Sequence, residues 1–180
     1  MIQDESKLLV YTPQRLQEEK GIQVKILHRV EKIHPTKKKI VVRDLKHQAT
    51  SEVEYDKLII ATGAQPKRLN IDGQDSRNVF HLHSREDTLG ILNFIKDEKP
   101  KTAVIIGGGY IGMEMCEALR LKGLEVTVVH RHRLPMSSLE QETSERILQE
   151  LEKNGVQFVS NAKIEGFQIN KEKKVKYVFT

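Results

Sequence analysis

The sequence predicts an α/β chain whose clearest unit is a three-layer domain built on a parallel sheet. Three observations lead there. An apolar run beginning at Thr102 passes directly into a glycine-rich turn, a stripe of helical period follows, and a second apolar run, Glu125 to Val129, closes the stretch. A strand that is apolar on consecutive positions suits a sheet covered by helices on both faces, and a helical crossover between two such strands is the connection a parallel pair needs.

Bulk properties fit a folded chain. It has 180 residues, 38% hydrophobic and 31% charged, with a net charge of +5. That composition excludes fibrous and disordered classes. No apolar run reaches the 18 or more residues of a membrane span, and "IQDESK" after Met1 is no signal peptide, so the expected compartment is cytoplasmic with no membrane partner. One cysteine, Cys116, allows neither an internal disulfide nor a thiolate metal site, and no metal is expected. The basic groups at Lys37 to Lys39 and Lys171 to Lys176 sit between strand-like segments. They read as solvated hairpin turns rather than a nucleic-acid surface.

In chain order, a helix-like segment ends at Gly21, and strands are expected over 22–34, 39–43 and 51–55 as a small meander. Asp72 and Asp75 read as turn residues. In "VFHLH", His81 and His83 alternate with apolar neighbours but have no ligand partner nearby in sequence, so they read as scaffold. Ser84 followed by Asp87 marks a helix start of the [ST]-x-x-[DE] kind, with Leu89, Leu92 and Ile95 inward and Pro100 beyond its end. The strand from Thr102 leads through the turn to a helix with Ile111, Met115, Ala118 and Leu119 at helical spacing, stopped at Gly123. Cys116 lies mid-helix as an inert core thiol. After the strand ending at Val129, Ser138 with Gln141 opens another helix, with Thr143, Ile147, Leu148 and Leu151 inward and Gly155 at its end. Strands over 156–169 and 173–179 form a second small meander.

The chain repeats itself. At one constant offset, Gly21, Gln23, Glu31, Lys37, Lys39 and Val41 match Gly155, Gln157, Glu165, Lys171, Lys173 and Val175. A supersecondary unit used twice with so long a period points to two related domains. In this register the first copy's glycine turn would fall before Met1, and the second copy's counterpart of Tyr55 to Asp75 would fall beyond Thr180. The expectation is a chain that enters one dinucleotide domain late and leaves the next early.

The turn itself is Gly107-Gly108-Gly109-Tyr110-Ile111-Gly112. A bare GxGxxG says little, but here a strand precedes it, a helix follows, and a second strand comes within about thirty residues, which is the Rossmann-like context the motif needs. Gly107 permits the tight turn, Gly109 lets the backbone approach a pyrophosphate, and Gly112 lets helix and strand pack closely. Unpaired N–H groups at the helix start and the helix dipole then face the anion. The implied ligand is a nicotinamide dinucleotide.

The strand after the helix ends in His130, Arg131, His132 and Arg133, and no carboxylate follows until Glu140. An acidic residue there would hold the ribose hydroxyls of NAD(H). Arginines instead suit a 2′-phosphate through charge-assisted bonds, each worth about 1.5–3 kcal/mol. NADP(H) is therefore favoured over NAD(H), with Arg131 and Arg133 as the phosphate ligands. A solvated loop remains the other reading for Arg133, and the histidines either pack the adenine or flank the loop.

The pairing of "YDKLIIATGA" with "GGGYIGMEMCEAL" resembles the flavin-dependent pyridine nucleotide-disulfide oxidoreductases, across essentially the whole chain. "LLVYTPQRLQEEKGIQV" and "VTVVHRHRL" are similar to the subgroup of coenzyme A disulfide reductases and related NADH oxidases. The resemblance implies a partial FAD-binding domain over 1–75 and an NAD(P)H-binding domain, incomplete at its C-terminal end, over 76–180. It implies that Ala61, Thr62 and Gly63 contact FAD, that Tyr110 covers the flavin face, and that Glu114 meets the nicotinamide carboxamide. Without the family, Gly63 is a strand-ending turn, Tyr110 a half-exposed helix-start residue, and Glu114 a first-turn carboxylate favoured by the dipole. The family's reactive cysteine lies upstream of Met1, so no catalytic residue is expected in this chain. The intact protein is implied to be a homodimeric NAD(P)H- and FAD-dependent oxidoreductase acting on a small-molecule disulfide or peroxide. A stand-alone, non-catalytic NADP(H)-binding module is the alternative.

Overall fold

The computed structural model describes residues 10–180, so the start of "LLVYTPQ" lies outside the described residues. The chain divides into two compact units, the first ending at Ala64 and the second running from Gln65 to Thr180.

The first unit opens with α1 (Pro13–Lys20). Thr12 caps it by accepting from the Arg15 N–H, Pro13 occupies a first-turn position where its missing donor costs nothing, and Gly21 ends it at φ 67°. Three antiparallel strands follow, β1 (His28–His34), β2 (Lys39–Asp44) and β3 (Thr50–Glu54), paired in that order with a bulge between Val30 and Lys32. The Lys39 ammonium lies between Glu52 and Glu54 of β3, at 3.3 and 3.2 Å.

Strand structure starts at His28, so residues 22–27 are not part of it, contrary to the sequence expectation. The apolar run Leu58 to Ile60 is not a strand either, and Ile59 stays 88% exposed. Both segments carry strand-like residues, but a strand needs a ladder of hydrogen bonds to a neighbour, and among the described residues only Leu27 meets one, accepting from the Leu45 N–H at 2.8 Å just where β1 begins.

In the second unit, α2 (Arg85–Glu98) begins with the capping box that the sequence announces: the Ser84 side chain accepts from the Asp87 N–H, and the Asp87 carboxylate accepts from the Ser84 N–H at 2.8 Å. Then come β4 (Thr102–Ile106), α3 (Tyr110–Leu121), β5 (Glu125–Val129), α4 (Gln141–Lys153) and β6 (Gln157–Val159). The three strands form a parallel sheet in the order β4-β5-β6, with Ile105 opposite Val128 and Val128 opposite Phe158. The unit is thus the α/β, Rossmann-like fold expected. Its core gathers Cys116 and Leu119 of α3 with Leu124, Val126, Val128 and Val156, and Ile95 of α2 and Leu151 of α4 pack against them. Arg120 ties the ends of both later helices together, donating to the carbonyls of Leu124 at 3.0 Å and Asn154 at 3.1 Å.

Several side chains face differently from expectation. Ile111 is 59% exposed because it sits in the first turn of α3, above the level of the sheet, and Cys116 with Leu119 forms the buried stripe. In α4 the cap is Glu140 rather than Ser138, and Ser144 is buried while Thr143 is exposed. The cause is a tight turn at 136–139, where Leu139 N–H donates to the Met136 carbonyl and Met136 has φ 51°. That turn uses the residues that would otherwise have formed the first helical turn, so the helix starts later and its inward face rotates.

The expected strand over 156–169 is two elements. After β6 the chain leaves the parallel sheet and returns as β7 (Gly166–Ile169), which pairs with β8 (Val175–Phe179) as an antiparallel hairpin. Asn78 fastens the hairpin to the entry segment by exchanging two hydrogen bonds with the backbone of Val175, at 2.9 and 2.7 Å.

Candidate nucleotide-binding site

The parallel strands end at one level, and the segments leaving them build the site. At the end of β4, Gly107 turns at φ 108°, a conformation closed to most side chains, and its N–H donates across to the Val129 carbonyl at 2.9 Å. Gly109 precedes α3 as its cap residue and offers no side chain to bond the first turn. The leading N–H groups of that helix therefore remain available to an anion. A Cβ on Gly112 would drive into the Gly107 carbonyl, whereas one on Gly109 would meet nothing within 4 Å. The close packing is thus at the helix–strand contact and the open space is at the helix mouth, as a pyrophosphate would need.

The end of β5 reaches the same place. Gly108 is buried, and its N–H donates to Nδ1 of His130 at 3.0 Å, while its carbonyl accepts from Met136 N–H at 2.7 Å. His130 is itself clamped by backbone: its N–H donates to the Val159 carbonyl and its carbonyl accepts from Ala162 N–H. Its ring lies near those of Phe158, at 6.0 Å between centroids, and His132, at 5.3 Å. Burial first, then the neighbouring His132 and Arg131, hold its pKa below the usual histidine value. Its Nε2 is buried without a hydrogen-bond partner.

Arg131, His132 and Arg133 form an exposed bend. Arg131 donates through Nε to Nε2 of His132 at 3.1 Å. Arg133 is turned away: its guanidinium bonds Glu145 of α4 at 3.1 Å, and Gln141 holds the same carboxylate oxygen at 2.8 Å. The structure thus brings Gly107 to Gly112 together with His130 and leaves Arg131 beside them. Glu145 is the residue that sequence reasoning missed. Only the Gln141/Glu145 spacing of four hinted at a polar face there, and nothing local pointed to Arg133 as its partner.

Tyr110 is 63% exposed and Glu114 is exposed on the next turn of α3. Ala61, Thr62 and Gly63 belong to the first unit, in an exposed irregular stretch where a Cβ on Gly63 would meet nothing within 4 Å. Cys116 is buried, and burial pushes its thiol up to about 11. A hollow of about 440 Å³ lined by Ile71, Asp72, Gln74, Ile169 and Lys173 includes none of the glycine-turn residues. Among the described residues, no cluster of histidine, cysteine, aspartate and glutamate could hold a metal ion, and no helix is long and apolar enough to cross a membrane.

A helix mouth left bare by glycine at the end of a parallel strand is the arrangement of the Rossmann-like class of fold. The chain belongs to the pyridine nucleotide-disulphide oxidoreductase family, whose model matches residues 3–180. It is 34% identical over 164 residues to the coenzyme A disulfide reductase of Staphylococcus epidermidis, covering 91% of this chain and 37% of that protein. Among solved structures, the reduced CoADR-RHD of Bacillus anthracis superimposes with a TM-score of 0.86 at 30% identity, covering 96% of this chain and 31% of that one. The water-forming NADH oxidase of Lactobacillus brevis, bound to NADH, gives a TM-score of 0.83 at 29% identity, covering 94% of this chain and 37% of that one. The chain therefore spans about a third of the length of the relatives it matches.

Proposed function

We propose that this chain supplies the nicotinamide-nucleotide site of an FAD-dependent disulfide oxidoreductase similar to the coenzyme A disulfide reductases, and that NADPH is its preferred ligand. One observation carries the reading: Gly112 packs against the Gly107 carbonyl at the junction of β4 and α3, leaving an uncapped helix start facing open space. The pyrophosphate would be held by the first-turn N–H groups of α3 at Tyr110 and Ile111, with the helix dipole adding to the attraction. The ribose end would lie against Gly108 and His130, and Arg131 would meet the 2′-phosphate. Tyr110 and Glu114, exposed on successive turns of α3, stand where the nicotinamide end would run.

When bound, the dinucleotide supplies a hydride, and in this family the acceptor is a flavin. The residues of this chain orient the donor and exclude water from the ribose end, where Phe158 and His130 pack together. Cys116 is not suited to thiol chemistry, since it is buried with its thiolate disfavoured. The disulfide or peroxide substrate and the flavin site belong to the intact, dimeric protein.

Parallel titrations of the chain with NADPH and NADH, followed by calorimetry, test the proposal. NADPH should bind roughly tenfold tighter, the worth of one charge-assisted arginine contact. Failure to bind either nucleotide, or tighter binding of NADH, would refute it.

A further inference from the structure

Met136 holds a backbone conformation that a side chain disfavours, φ 51°, and it does so while buried. A residue keeps such a geometry only where its surroundings over-determine it. Here the surroundings are hydrogen bonds on both sides of the residue. Its N–H donates to the Gly108 carbonyl at 2.7 Å, and its own carbonyl accepts the Leu139 N–H at 2.8 Å and the Ser144 hydroxyl at 3.2 Å. Ser144 belongs to α4 and is 1% exposed, and Pro135, next to Met136, is fully buried too. A helical serine ordinarily faces water or bonds back to the carbonyl four residues earlier. This one reaches out of its helix instead, and an enclosed hydroxyl keeps the partner it has.

The effect falls on the glycine turn. A peptide unit is planar and trans, so its C=O and N–H point opposite ways. Holding the Gly108 carbonyl at Met136 therefore sets the direction of the Gly109 N–H, immediately ahead of α3. The N–H of Gly108 is fixed separately, by His130 at 3.0 Å. Of the two peptides that meet at Gly108, the one entering α3 is thus governed from α4, through Met136.

We propose that Ser144 is a positioning residue for the coenzyme: through Met136 it holds the peptide between Gly108 and Gly109, and so aims the open start of α3 at the pyrophosphate. Enclosed as it is, Ser144 does this without touching the ligand. The inference rests on the proposed function and goes beyond it by tying the phosphate turn to the next crossover helix. Both coenzymes carry the pyrophosphate, so the relay serves NADH and NADPH alike, whereas Arg131 acts on one of them.

Amide exchange of the full chain tests the relay without any nucleotide. In Ser144→Ala, the Met136 N–H should exchange roughly tenfold faster relative to the Val128 N–H, because a bond that fixed Met136 is gone. Leu151→Ala loosens the packing of α4 on the core but leaves the relay, so it should speed both amides together. If Ser144→Ala also moves both in step, the serine is part of the packing alone and the proposal falls. Calorimetry with NADH and NADPH tests the consequence for binding. Ser144→Ala should weaken both by the same factor, roughly two- to tenfold, while Ser144→Cys, similar in size but a weaker donor, should lie between wild type and alanine. Leu151→Ala should leave both affinities unchanged. Unchanged affinities in Ser144→Ala, or a loss confined to one coenzyme, would overturn the positioning role. If the wild-type chain binds neither nucleotide, the proposed function and the positioning role fail together. If it binds and the exchange ratio ignores Ser144→Ala, only the inference about Ser144 fails.

Discussion

Replacing Gly112 by alanine places a methyl group against the carbonyl of Gly107 and at 3.5 Å from Cγ2 of Ile105. The obstacle is backbone, which cannot rotate aside as a flexible side chain would. Forcing a methyl into such a contact costs about 1–3 kcal/mol, and the carbonyl partner puts this case toward the upper end. Alanine recovers about 0.8–1.0 kcal/mol over glycine within a helix. The net expectation is a loss of about 1–2 kcal/mol, which for a unit of this size lowers Tm by roughly 4–8 °C. Gly90→Ala in α2 is the matched control, since a Cβ there meets nothing within 4 Å; it should stabilise by about 0.4–1 kcal/mol. Urea denaturation followed by circular dichroism, with equal m values across the set, reads the difference. Gly112→Ala should also weaken nucleotide binding, because the carbonyl it displaces belongs to the turn. If Gly112→Ala proves as stable as Gly90→Ala, the close approach of α3 to β4 is wrong, and the argument for the nucleotide turn goes with it.

Other outcomes follow from the same geometry. Arg131→Ala should lower NADPH affinity about tenfold and leave NADH nearly untouched, whereas Arg133→Ala should change either by less than about threefold because its guanidinium already bonds Glu145; calorimetry separates the two. Cys116 should react with a thiol reagent only after urea is added, since burial keeps it a thiol; rapid labelling of the native chain would contradict the packing. Ser84→Ala should cost about 1 kcal/mol through loss of the α2 cap. Its partner Asp87 has a carboxyl held below the ordinary aspartate value, first by the Ser84 N–H. The stability gap between wild type and Asp87→Asn should therefore be full above the unfolded-state value of about 4 and close as pH falls through the lower folded value, as denaturation at several pH values would show.

What the sequence made legible was local. The glycine turn was readable because Gly107, Gly109 and Gly112 answer to constraints within one strand–helix junction, and the Ser84/Asp87 box because both bonds close within four residues. The illegible parts needed distant partners or a phase that local patterns do not carry. Residues 22–27 and 58–60 have strand composition, yet no neighbouring strand satisfies their backbone among the described residues. Ser138 and Gln141 fit a capping template, but the turn at Met136 moves the start of α4 and rotates its buried face onto Ser144. The link from Gly108 to His130 spans two strand ends, and the Arg133–Glu145 pair joins a bend to a helix. Neither has a signature in sequence spacing, so the sequence left Arg133 open between a phosphate ligand and a solvated loop without pointing to Glu145.

Val128 is wholly buried, yet Arg131, a few residues along, stands in solvent. Changes in an exposed bend of that kind ordinarily alter stability by less than about 0.5 kcal/mol, while changes in the strand below it disturb the core. Selection can therefore retune which coenzyme such a domain prefers by drifting through a few surface positions, leaving the load-carrying interior inherited intact.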